Sequence, residues 1–175
     1  MRLVLPKFLA GVLATVLAAT ALISRAQAAD ADVLREYQDR QAIEVLMWHY
    51  VRALDSLDAN AYSAAYAPDG RFGSGTQAEK GRDALRKMIL ELRRTRAERE
   101  ARGEHSPPMY HVITNSHVEF VDKDHARFYS YWMTVFGPAE KDSTPRVAAV
   151  GRGIDELVRL NGEWLIQSRD VAPKD

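Results

Sequence analysis

Apolar side chains first recur with a helical period between residues 43 and 54. Ile43, Leu46, Met47, Tyr50, Val51 and Leu54 keep the i, i+3, i+4, i+7 spacing that puts one stripe on a helix. Asp55-Ser56-Leu57-Asp58 interrupts the stripe, and Asp58 is placed to cap a short second helix carrying Ala61, Tyr62 and Ala65. Ala67-Pro68-Asp69-Gly70 reads as a turn, with extended chain from Arg71-Phe72. A third helix is predicted after Gly81, with Ala84, Leu85, Met88, Ile89 and Leu92 inward. The run from Arg93 to Glu104, with five arginines and three glutamates, reads as its solvated end. Beyond Pro107-Pro108 the period shortens to two. Met109–Val121, His125–Phe136, Arg146–Leu160 and Glu163–Val171 are predicted as four long strands. Asp122-Lys123-Asp124 and Asn161-Gly162 are hairpin turns, the second a type I′ signature. Gly137 to Pro145 is a polar loop of the kind that rims a pocket. Helices first and antiparallel hairpins afterwards make the fold class α+β.

The first strand contains an irregularity. His111, Ile113, Asn115 and His117 share one parity, Val118 and Phe120 the other, so the apolar register slips near residue 117. A β-bulge does this, and bulges bend a sheet around a concavity.

The N-terminus follows a different logic. Arg2 and Lys7 precede a 16-residue apolar stretch, Phe8 to Ile23, followed by Ala26-Gln27-Ala28. This is the layout of a secretory signal peptide cleaved after Ala28, and the stretch is shorter than the roughly 20 residues of a spanning helix. The expectation is an exported, periplasmic or secreted protein with a single domain at 29–175 and no membrane association once the leader is gone. The full chain balances 24 basic against 24 acidic residues. Removal of Arg2, Lys7 and Arg25 leaves 21 basic against 24 acidic, a net charge of −3 over 147 residues. A mildly acidic domain is a poor nucleic-acid ligand. With no cysteine, disulfides, thiolate metal sites and cysteine nucleophiles are excluded.

Candidate chemistry is sparse. No phosphate loop, dinucleotide fingerprint, His-Glu-x-x-His or nucleophile elbow is present. The five histidines are scattered, and the six residues between His111 and His117 span about 20 Å of strand, so no metal site is expected. What remains is distributed. Tyr50 lies on the first helical stripe, with Asp55 at its end, where a carboxylate either caps or points into a pocket. His111 lies on the first long strand. Phe128, Tyr129, Tyr131, Trp132 and Phe136 are enough aromatic surface to line a site for a flat molecule. Spacing alone does not join these residues.

A resemblance does. Ile43-x-x-Leu46-x-x-x-Tyr50-x-x-Ala53-Leu54-Asp55-x-x-Asp58 and Tyr66-Ala67-Pro68-Asp69-Gly70-x-Phe72 resemble the start of the SnoaL-like branch of the nuclear transport factor 2-like superfamily. His111-x-x-x-Asn115, His125-Ala126-Arg127-x-Tyr129-Ser130-Tyr131, Gly151-Arg152 and Asn161-Gly162-x-Trp164-x-Ile166-x-x-Arg169-x-Val171 extend it over residues 35–172. The resemblance implies a strongly curved antiparallel sheet, a cone closed by three N-terminal helices, with a pocket between them. The members most similar in layout are scytalone dehydratase and the bile-acid 7α-dehydratases, where a tyrosine, an aspartate at the end of the first helix and a sheet histidine act together. Tyr50, Asp55 and His111 occupy those positions. Scytalone dehydratase carries a second pocket histidine where this chain reads Val150-Gly151-Arg152, which makes Arg152 a candidate substitute. Arg169, Asn115, Tyr129, Tyr131 and Trp132 complete the expected substrate-binding set.

The resemblance thus implies a cofactor-independent lyase acting on a hydroxylated aromatic or polycyclic small molecule, working as a homodimer. A binding protein for a lipophilic molecule, or an isomerase or epoxide hydrolase, would use the same pocket. The separation of Asp55 from His111 discriminates: about 3 Å favours catalysis, more than about 6 Å favours binding.

Overall fold

The computed structural model describes residues 7–138 and 144–173. Three helices, α1 (Lys7–Asp55), α2 (Ala59–Ala64) and α3 (Arg82–Ala101), accompany six strands. These are β1 (Tyr66–Phe72), β2 (Glu79–Lys80), β3 (Met109–Phe120), β4 (His125–Phe136), β5 (Arg146–Leu160) and β6 (Glu163–Asp170). Contacts divide the chain into Met1–Gln41, which holds the N-terminal part of α1, and Ala42–Asp175, which holds everything else. The helix begins well before the stripe at Ile43, because Ala, Leu, Arg, Gln and Glu dominate residues 26–42 and all favour helix. Among the described residues, no helix is long and apolar enough to cross a membrane.

Within Ala42–Asp175 the strands form one curved, unclosed sheet in the order β2-β1-β6-β5-β4-β3. The four long strands pair antiparallel, as their turns predict. Asn161 and Gly162 both take positive φ, 53° and 87°, which a type I′ turn requires. The sheet is mixed rather than purely antiparallel, however, because β1 runs parallel to β6. The expected turn at residues 67–70 is also part of β1. Its register against β6 shifts between Tyr66 and Arg71, so Pro68 lies where the ladder is interrupted and needs no N–H. Much of the polar loop after Gly137 falls on residues 139–143, outside the described residues.

Two bulges decide which side chains face the helices. In β3, Thr114 pairs with Tyr131 and His117 with Tyr129, so Asn115 and Ser116 together oppose Ser130. Asn115 absorbs the extra residue with φ 49°. His111, Ile113, Val118 and Phe120 therefore share the inner face with Trp132, Phe128 and Ala126, and His117 turns to the other side. In β6, Ile166 pairs with Leu157 and Ser168 with Glu156, so Gln167 is the extra residue. The parity flips, and Arg169 joins Ile166 and Trp164 on the inner face.

The core lies between this face and the helices. Ile43, Leu46, Met47 and Tyr50 of α1, Tyr62 of α2, and Leu85 and Ile89 of α3 pack against Phe128, Leu157, Trp164 and Ile166. Asp58 caps α2 as its position predicts, accepting from the N–H groups of Asn60 and Ala61 at 3.1 and 3.0 Å. Leu92 departs from the expectation for α3: it is 46% exposed.

Candidate active site

Asp55 is the last residue of α1. A carboxylate there meets the negative end of the helix dipole, a local cost that a good partner must offset. The partner is His111, on β3. Its ring Nδ1 lies 2.7 Å from Asp55 Oδ1, and its backbone N–H donates to the same oxygen at 3.0 Å. The two side chains are mostly buried, 12% and 19% exposed. An ionised carboxylate only accepts hydrogen bonds, so the proton sits on Nδ1 and the Nε2 lone pair is left for the cavity that His111 lines. Asp55 is not a helix cap, and the separation falls on the catalytic side of the criterion set above.

That cavity holds about 110 Å³ and is lined by Tyr50, Leu54, His111, Ile113, Trp132, Thr134, Arg169 and Val171. Trp132 forms one wall. Its Nε1–H is shared between the carbonyls of Arg152 and Val171, at 3.1 and 3.0 Å. The indole lies flat on Gly151, where even a Cβ would come within 2.6 Å of the ring.

Behind the cavity is a buried polar array. The Arg169 guanidinium sits 4.6 Å over the Tyr50 ring and forms an ion pair with Asp155. Arg169 is 3% exposed and Asp155 fully buried. Burial pushes the Asp155 carboxyl up to about 7, against the opposing pull of Arg169. Tyr50, Tyr62 and Tyr66 cluster with ring centroids 5.3 to 6.1 Å apart. The Tyr62 and Tyr66 hydroxyls hydrogen-bond each other at 3.2 Å. Burial, then the neighbouring Tyr50, raise Tyr62 and Tyr66 well above an ordinary phenol, so both stay neutral.

Residues 35–170 match the SnoaL-like domain family. The chain belongs to the SnoaL-like domain family. In structure it is similar to an NTF2-like protein with a cystatin-like fold from Novosphingobium aromaticivorans (24% identity, 83% of this chain and 88% of that one, TM-score 0.65). It is also similar to a scytalone dehydratase-like protein of the same organism (21% identity, 78% and 84%, TM-score 0.60). ActVI-ORFA from Streptomyces coelicolor aligns as well (21% identity, 78% and 95%, TM-score 0.65). At these identities the likeness speaks for the fold. No curated protein matches the chain in sequence.

This SnoaL-like protein gathers only part of the site read from its sequence. Tyr50, Asp55, His111, Trp132 and Arg169 come together. Arg169, expected to touch substrate, lines the cavity with its guanidinium already committed to Asp155 and Tyr50. Asn115, Tyr129, Tyr131 and Arg152 do not join them. They line a separate depression of about 310 Å³. Tyr129 pairs with His117 and Ile154, and Tyr131 with Arg152, on the opposite parity to Trp132 and so the opposite sheet face. Arg152 is therefore no substitute for a second pocket histidine. Of Val150-Gly151-Arg152 only Gly151 faces the cavity side, and the Trp132 ring fills the space above it.

Asp155 escaped the sequence reading. Its signal was an acid at a core position of β5, between Gly153 and Leu157 on the buried parity. The Tyr62–Tyr66 pair reads as ordinary core until the hydroxyls meet. Among the described residues, no three His, Cys, Asp or Glu side chains gather in a metal-binding arrangement.

Proposed function

We propose that this protein is a cofactor-independent lyase that removes water, or another small fragment, from a hydroxylated aromatic or polycyclic molecule. The observation carrying this reading is the 2.7 Å Asp55–His111 contact at the edge of a largely apolar cavity. Neutral His111 takes a proton through Nε2 from the carbon next to the carbinol, while Asp55 stabilises the imidazolium. The electron pair of that C–H bond becomes the new double bond, and the carbon–oxygen bond breaks. The departing oxygen recovers the proton from His111 and leaves as water. The hydroxyl of Tyr50, which lines the cavity, donates a hydrogen bond to the oxygen that gains charge. Proton transfer of this kind needs no metal or organic cofactor. At about 110 Å³ the cavity is of the same order as the roughly 150 Å³ that admits benzene. One ring occupies it, and the remainder of a larger substrate extends outside. Mass spectrometry of hydroxylated arenes incubated with the protein tests this: a product lighter by one water, absent with His111→Ala, is expected. Turnover that survives that substitution contradicts the reading.

The leader and assembly belong to the same proposal. The protein is exported and cleaved after Ala28, and N-terminal sequencing of periplasmic material is expected to start at Ala29. Recovery of intact Met1 in membranes contradicts it. The mature chain pairs with a second copy through the outer sheet face, where Tyr110, Val112, Tyr131, Val147 and Val150 are exposed. Sedimentation at micromolar concentration is expected to give a dimer, and Val150→Glu to shift it toward monomer.

A further inference from the structure

A second concavity, of about 200 Å³, opens beside the dyad. Its floor includes Leu57, Met109 and Phe136. Met109 pairs with Phe136, and the next pair on that sheet face is His111 with Thr134, so the floor begins about 7 Å along the strand from the histidine. Leu57 follows Asp55 by two residues. The wall is the far end of α3, including Arg96 and Arg99, the stretch whose charges read as simple solvated surface.

Each of the two arginines is ion-paired through its Nε and keeps further N–H donors. Glu100 accepts from Arg96 Nε at 3.0 Å and Glu104 from Arg99 Nε at 2.9 Å, yet no carboxylate lines the concavity. Glu104 also serves Arg102, so one carboxylate faces two guanidiniums. Arg96 gives one further hydrogen to the Ser106 carbonyl. The terminal nitrogens of Arg99 have no partner among the described residues. Ser106, also in the lining, has a buried hydroxyl without a partner there. A further cation, Arg146, lies 5.4 Å over the Phe136 ring. An apolar floor, two guanidiniums held by their Nε edges and an unsatisfied hydroxyl suit an apolar molecule that ends in a carboxylate, which a guanidinium binds by charge-assisted hydrogen bonds.

We propose that this concavity binds the carboxylate of the substrate, which makes the substrate a hydroxylated aromatic acid. The role of that acid as substrate rests on the lyase reading; its binding rests on the concavity alone. Titration calorimetry of the whole protein with para-hydroxycinnamate and with its methyl ester tests the binding. The acid is expected to bind about tenfold more tightly than the ester, with the preference shrinking as salt is raised. Arg96→Gln and Arg99→Gln should each weaken the acid about five- to tenfold and leave the ester unchanged, and Arg99→Lys should restore part of the loss. Lys87→Gln, exposed on α3 and outside the lining, should change neither, and His111→Ala should keep the acid preference. Equal binding of acid and ester, no binding of either, or arginine variants that weaken both alike would overturn the proposal. A retained acid preference without turnover of any aromatic acid defeats the lyase reading and leaves the anion site standing. Turnover of neutral arenes alone does the reverse.

Discussion

His111→Ala and Asp55→Asn are each expected to lower kcat by about 10²–10⁴, the usual loss for a positioned acid-base group, and the double variant to be little worse than either single one. Non-additivity follows from the geometry. Asp55 Oδ1 accepts from both the ring Nδ1 and the backbone N–H of His111, so the carboxylate acts only by holding that imidazole in one tautomer and stabilising its charged form. Once the ring is gone, Asp55 has nothing left to orient. Tyr50→Phe costs less, because it removes one hydrogen-bond donor and leaves the proton path intact. The measurement is steady-state turnover of all four variants on the same substrate, after circular dichroism has shown that each is folded. Losses that multiply would mean that the two residues act separately. A protein that only binds its ligand would show affinities within a few fold of one another and no turnover to lose.

Asp155→Ala is expected to destabilise the protein by about 3–5 kcal/mol, the cost of leaving a buried charge without its counter-ion. Arg169 is 3% exposed and Asp155 fully buried, so solvent screening discounts little. The guanidinium cannot release its proton, and its other neighbour is the face of the Tyr50 ring, which is a far weaker partner than a carboxylate. Asp155→Leu combined with Arg169→Met is expected to recover most of the loss, since apolar side chains of similar volume replace a buried ion pair at little net cost. Recovery of stability is not expected to bring recovery of turnover, because the cation over Tyr50 is gone. Urea denaturation of the single and double variants gives the coupling energy. A loss below about 1 kcal/mol for Asp155→Ala alone would show that the pair carries no such weight.

Much of the architecture was legible in the chain. The stripe from Ile43 to Leu54, the capping position of Asp58, the period-two runs after Pro107-Pro108 and the Asn161-Gly162 turn are local signals, and local sterics and hydrogen bonding enforce them whatever the rest of the molecule does. The strand bounds were within a residue of those observed, and the slip near residue 117 correctly announced a bulge. The slip did not say which residues the bulge would separate, and His117 proved to lie across the sheet from His111. The parallel pairing of β1 with β6 was not legible either, since it joins segments about a hundred residues apart and depends on no turn.

The site divides along the same line. Residue types made Tyr50, Asp55 and His111 candidates, each with an ordinary structural explanation of its own, and only the family pattern joined them. Whether their side chains would meet was decided by the curvature of the sheet, which brings β3 against the end of α1. Two single-residue insertions, at Asn115 with Ser116 and at Gln167, then chose the faces. They turned Arg169 inward to Asp155 and Tyr50. Tyr129, Tyr131 and Arg152 were left on the far side by the plain alternation of β4 and β5. A strand's side chains alternate strictly, so one unpaired residue reassigns every position after it. Hydrogen-bond register between strands distant in sequence is what places that residue, which is why composition and spacing name the candidates while only the folded sheet selects among them.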